Sequence, residues 1–175
     1  MKKEKILIPL DGSEISRKIL PHVCHFCDAD AFELIILRAE RVPSSSFKTP
    51  NLSSRPLVMT GDFVPYQAIN SQAQNPAAES IQKEQAWDDL KKKLKEELQT
   101  DIKYLEKKGY TVSVAIHFGK PAEEIIFIAG QNNVSLIAMA SHGRTGVKHL
   151  LKGSVTEDVL HHINIPLLII NAPDA

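Results

Sequence analysis

The sequence is short of the features that would commit it to several common functions. Cysteine is nearly absent: Cys24 and Cys27 are the two present, too few for a disulfide scaffold and too close for a bridge closing a large loop. A disulfide-built secreted domain is excluded, and a reducing compartment fits. Neither sign of charge is in excess, because 21 Lys and Arg face 21 Asp and Glu, so no basic field draws nucleic acid or an anionic membrane to the surface. Both drop out as expected partners. A long hydrophobic run is also missing at the start: Met1-Lys2-Lys3-Glu4-Lys5 leads into only Ile6 to Leu10 before Asp11, too short for a secretory segment or a spanning helix. The expectation is a soluble cytoplasmic protein.

What is present is enough apolar material for one substantial core: 175 residues, 43% of them hydrophobic. The expectation is one domain over residues 1 to 175. Residues 5 to 10 form a short apolar run that ends in Asp11-Gly12-Ser13, the pattern of strand, turn and helix start, with Ser13 as N-cap. A helix over about Glu14 to Cys27 carries Ile15, Ile19, Leu20, Val23 and Phe26 at helical spacing, against which Pro21 is a local objection. Phe32 to Leu37 reads as a second strand, apolar on both faces as parallel strands are.

Residues 43 to 79 break this rhythm. Five of the ten prolines (Pro43, Pro50, Pro56, Pro65 and Pro76) lie there among Ser, Asn, Gln and Thr, which reads as an irregular insertion. Apolar residues then recur every three or four positions from about Ala78 to Lys108, a long amphipathic helix closed by Gly109. Tyr110 to Phe118 is a third strand, Pro121 opens a helix to about Asn132, Val134 to Ala140 is a fourth strand, and Ile165 to Ile170 a fifth. Strands and helices alternate throughout. Right-handed crossovers then demand an α/β fold with a five-stranded parallel sheet and helices on both faces.

The fourth strand runs into Ser141-His142-Gly143-Arg144-Thr145-Gly146, and Gly153-Ser154-Val155-Thr156-Glu157 follows. Glycine lets backbone approach an anion without a Cβ in the way, and the free N–H groups of a following helix favour negative charge. The stretch reads as a nucleotide-phosphate loop, with Arg144 able to add a charge-assisted contact. Ser154 and Glu157 are also a Ser-x-x-Glu capping box, and both uses draw on the same N–H groups. Asp11 is open to two readings in the same way, as a ligand carboxylate or as an Asx turn that ends a strand. His142 reads equally as a nucleotide contact or a solvated loop imidazole. If the first and fourth strands are neighbours where the winding reverses, Asp11 and residues 140 to 146 face one crevice.

These residues resemble the universal stress protein family in its nucleotide-binding branch. The resemblance covers nearly the whole chain outside 43 to 79, and rests on Ile8-Pro9-Leu10-Asp11-Gly12-Ser13, on Gly119-Lys120-Pro121-Ala122-Glu123-Glu124-Ile125, and on the glycine loop. The family's Gly, two residues, Gly, nine residues, Gly-Ser motif is matched by Gly143 and Gly153-Ser154, with Ala140 at its first position. The resemblance implies a Rossmann-like fold of the adenine nucleotide alpha hydrolase type. It also implies ATP as a regulatory ligand, with Mg²⁺ carried by the phosphates and no metal held by the protein.

The implied contacts are Pro9, Asp11 and Ala39 around the adenosine half. Ala140, Gly143, Arg144, Gly153, Ser154, Val155 and Thr156 would surround ribose and phosphates, with Met139 a further nucleotide contact. A homodimer through Ile165 to Ile170 is implied as well. No general base or Walker-type Lys adjoins the glycine loop, so binding rather than turnover is expected. The competing expectation is a dimeric interaction module of the same fold that binds no nucleotide. For Cys24 and Cys27 a zinc site lacks a second Cys pair, and a redox pair at a helix's end lacks the stabilisation a helix start gives a thiolate.

Overall fold

The computed structural model describes residues 2–41, 76–141 and 155–172, with the backbone alone for 76–84. In chain order the elements are β1 (Glu4–Pro9), α1 (Glu14–Arg17), α2 (Ile19–Phe26), β2 (Phe32–Glu40), α3 (Pro76–Glu97) and α4 (Gln99–Lys107). β3 (Thr111–Phe118), α5 (Pro121–Gln131), β4 (Leu136–Ser141), α6 (Val155–His162) and β5 (Leu167–Asn171) follow. Two compact units divide the chain, Met1–Val42 with Leu90–Ala175, and Pro43–Asp89. Of the second unit, only the N-terminal part of α3 is described.

The first unit holds the five-stranded sheet, in the order β3-β2-β1-β4-β5, parallel at every pairing. β1 sits in the middle, so Leu7 pairs with Ile35 on one side and Ile137 on the other. Winding runs outward to β3 and then returns to β4, which places the reversal between β1 and β4.

Because side chains alternate across a strand, the sheet serves two cores. On one face Ile6, Ile8, Leu34, Ile36 and Ala138 pack with Val23 of α2 and Ile102 and Leu105 of α4. On the other, Leu7, Leu37, Ile137 and Met139 pack with Ile125 and Ile128 of α5 and Val159 of α6. Among the described residues no helix is long and apolar enough to cross a membrane.

Two expected helices are broken. The segment from Glu14 to Cys27 divides at Lys18, whose N–H bonds to the Ile15 carbonyl three residues back. Pro21 has no N–H for the Arg17 carbonyl and crowds it sterically, so the helix restarts just ahead of the proline. The segment from Ala78 to Lys108 divides at Leu98, whose N–H again bonds three residues back, to Lys95, at 3.3 Å.

β1 and β3 lie within one residue of expectation, and the other three strands are shifted by two or three residues at one end. β2 runs to Glu40 rather than Leu37, because Arg38, Ala39 and Glu40 pair with Ile116, His117 and Phe118 of β3. β4 starts at Leu136, since Val134 closes α5 through its N–H to the Ala129 carbonyl. β5 starts at Leu167 because Pro166 has no N–H for the ladder, although its carbonyl accepts from Ile137 at 3.0 Å.

Candidate functional site

At the carboxyl ends of the strands, beside the reversal, lies a cavity of about 340 Å³, within the size range of small-molecule sites. Four of the segments that line it, well separated in sequence, carry residues expected to contact nucleotide. Pro9 and Asp11 come from the end of β1, Ala39 from β2, Met139 and Ala140 from β4, and Val155 and Thr156 from the first turn of α6. Those seven are the described members of the set nominated from the sequence. Gly143, Arg144, Gly153 and Ser154 lie outside the described residues, as does His142.

Thr156 is buried at 3% exposure, so a polar group lines an otherwise mostly apolar wall. Ala140 belongs to β4, and among the described non-glycine residues only Asn133 has positive φ. Alanine at the motif's first position is therefore held without backbone strain, and its methyl group is the whole of the difference from glycine.

Six other lining residues were not nominated: Leu10, Ser16, Leu37, Pro121, Ile125 and Ser141. Pro121 and Ile125 share one face of α5 at i and i+4, and the sheet-facing side of that helix is the signal that could have found them. The turn before α5 is tight. The Glu124 carboxylate bonds His117 Nδ1 at 2.8 Å and lies where a Cβ on Gly119 would be.

The turn after β1 is built from polar contacts. Asp11 Oδ1 accepts the Ser13 N–H at 2.9 Å, so the Asx turn is present. Ser13 caps α1, its Oγ accepting the Ser16 N–H at 3.0 Å, and Ser16 Oγ donates back to the Ser13 carbonyl at 2.9 Å. Between Asp11 and Ser13, Gly12 has φ +87°, and a Cβ there would meet the Arg38 guanidinium. Arg38 is itself held by Glu40, Nη2 to Oε2 at 3.0 Å. A Gly12→Ala variant should lose about 1–2 kcal/mol from the left-handed backbone alone. A lowered denaturant midpoint, smaller in Gly12→Asn, checks this.

Arg17 reaches the same turn from below. Its Nε lies 3.0 Å from Asp101 Oδ2, and its Nη1 donates to the Gly12 carbonyl at 2.8 Å. The hydrogen bond to Asp101 raises the Arg17 pKa further, over the opposing effect of burial.

Cys24 and Cys27 are free thiols at the end of α2, half-buried and buried respectively, on the helix end opposite the one that stabilises a thiolate. Burial pushes the Cys27 thiol up. Among the described residues no three His, Cys, Asp or Glu side chains are grouped to hold a metal ion.

A doubly wound parallel sheet with a cleft at its reversal defines the Rossmann-like α/β class. Known proteins place the chain within that class. The model of the universal stress protein family matches residues 68–171. Universal stress protein MJ0577 of Methanocaldococcus jannaschii is 34% identical over 171 residues, covering 95% of this chain and 94% of that one. Its solved structure superposes with a TM-score of 0.60 at 30% identity, covering 100% of both chains.

The chain belongs to the universal stress protein family. More distant structures share the fold. A universal stress protein solved in complex with cAMP has a TM-score of 0.59 at 14% identity, covering 98% of this chain and 99% of that one. One from Arabidopsis thaliana, solved with AMP bound, has a TM-score of 0.56 at 12% identity, covering 98% and 93%.

Proposed function

We propose that this universal stress protein binds ATP in the cavity between β1 and β4, as a regulatory ligand rather than a substrate. The observation that carries the reading is convergence: four separate segments nominated as nucleotide contacts line one cavity. Apolar walls at Pro9, Ala39 and Met139 suit a base, and the Asp11 carboxylate can accept from an amino or hydroxyl group. The loop bearing Gly143, Arg144, Gly153 and Ser154 leads from β4 into α6. In this reading it takes ribose and phosphates, with Mg²⁺ carried by the phosphates. The cAMP and AMP in the two distant relatives support an adenine nucleotide as the ligand class.

The same proposal takes the protein as cytoplasmic and as a homodimer through the edge of β5, which pairs with β4 alone among the described strands. Residues 43 to 79 are then an insertion in a single universal stress protein domain.

Calorimetric titration with Mg-ATP tests the reading, run beside Gly143→Val, whose side chain would block close backbone approach. A dissociation constant on the order of 1 μM, about −8 kcal/mol, that vanishes in the variant is expected. No heat at high ATP, with unchanged thermal stability, would leave the nucleotide-free interaction module in its place.

A further inference from the structure

Asp101 is a carboxylate the nucleotide reading leaves unused. It stands in the first turn of α4, where the helix N-terminus favours negative charge, and its side chain is only 8% exposed. A carboxylate so far from water is held by a partner, and the partner is Arg17, whose Nε lies 3.2 and 3.0 Å from its two oxygens. Arg17 does not end there. Its Nη1 donates to the Gly12 carbonyl, one peptide after Asp11, in a turn whose next N–H is bonded to the Asp11 carboxylate. The Arg38 guanidinium fills the space where a Cβ on Gly12 would stand, so the turn has little room to rotate while Arg17 holds its carbonyl.

The geometry points to Arg17 and Asp101 as a positioning pair for Asp11: Asp101 on α4 fixes the guanidinium, the guanidinium fixes the Gly12 carbonyl, and the carbonyl fixes where the Asp11 carboxylate points. Neither residue lines the cavity. This rests on the proposal that Asp11 contacts nucleotide, and it adds residues 84 positions apart in the chain to the site. A flat fork is needed to reach a carboxylate and a carbonyl at once; the ammonium of lysine sits at a single point and keeps the charge without the second reach.

The test is a double-mutant cycle on Mg-ATP affinity with Asp11→Asn and Arg17→Lys. Asp101→Asn leaves a guanidinium half-buried without its carboxylate and can unfold the protein, whereas Arg17→Lys retains the ion pair. Arg17→Lys should weaken ATP about tenfold, within the worth of a hydrogen bond to a charged group, and should cost nothing more once Asp11→Asn is present. A purely structural tie between α1 and α4 would give losses that add. Additive losses, or full affinity in Arg17→Lys beside a weakened Asp11→Asn, overturn the positioning role alone. Full affinity in Asp11→Asn overturns the contact at Asp11 and the positioning role with it.

Discussion

A Leu7→Ala variant is expected to lose about 3–5 kcal/mol of stability, the upper part of the range for leucine truncation in a packed core. Leu7 has no exposed surface, and it lies at the centre of β1, flanked by Ile35 and Ile137 in the neighbouring strands. Above it pack the apolar faces of α5 and α6. Collapse around the deleted side chain would require moving strands that are hydrogen-bonded on both sides, so most of the void persists. Pro9 follows two residues later on the same face and lines the cavity, so slackness under β1 also reaches the site. Denaturant unfolding beside Phe26→Ala measures the effect. Phe26 is 65% exposed, and its loss should stay within about 0.5 kcal/mol.

Local signals carried a good part of this architecture. Apolar runs marked five strands because buried parallel strands are apolar on both faces, and the Asp11-Gly12-Ser13 turn carries its own cap, made by Ser13 Oγ. The class follows from alternation alone, since parallel strands require crossovers. What the sequence could not display is anything decided by a distant partner. Arg38 and Glu40 look like loop residues after an apolar run, yet pairing with β3 draws them into β2.

Runs that are apolar on both faces also hide direction. Nothing local says that Leu37 turns toward the cavity while Ile36 is buried on the opposite face. The breaks at Lys18 and Leu98 differ in legibility. Pro21 announces the first, but no residue type near Leu98 announces the second. Arg17 and Asp101 illustrate the limit: one reads as an exposed helix arginine and the other as an ordinary acid inside a long helix, and only the approach of the start of α4 to the end of α1 makes them partners.

The protein should lose about 2–3 kcal/mol of stability between about pH 10 and 12 through one side chain, Tyr110, at the end of the sheet opposite the cavity. Tyr110 is 5% exposed, and its hydroxyl donates to the Cys27 carbonyl at the end of α2. Burial, reinforced by the nearby Cys24, Cys27 and Asp28, pushes its pKa from 10.0 up to about 12. The folded state therefore favours the protonated phenol. The stabilisation is fully present below pH 10 and disappears as pH rises through about 12, each pH unit between the two values being worth about 1.4 kcal/mol.

Tyr110→Phe removes the titrating group together with its hydrogen bond. At neutral pH it should cost about 1–3 kcal/mol, because the Cys27 carbonyl is left without that donor. The gap between parent and variant should then close across the alkaline window, measured as unfolding free energies at successive pH values. A gap that stays constant to about pH 12 would mean that the phenol ionises as easily folded as unfolded. Because Tyr110 precedes β3 at its amino end while the cavity lies at the carboxyl ends, the variant should bind Mg-ATP at neutral pH as the parent does. That separates a loss of stability from a loss of site.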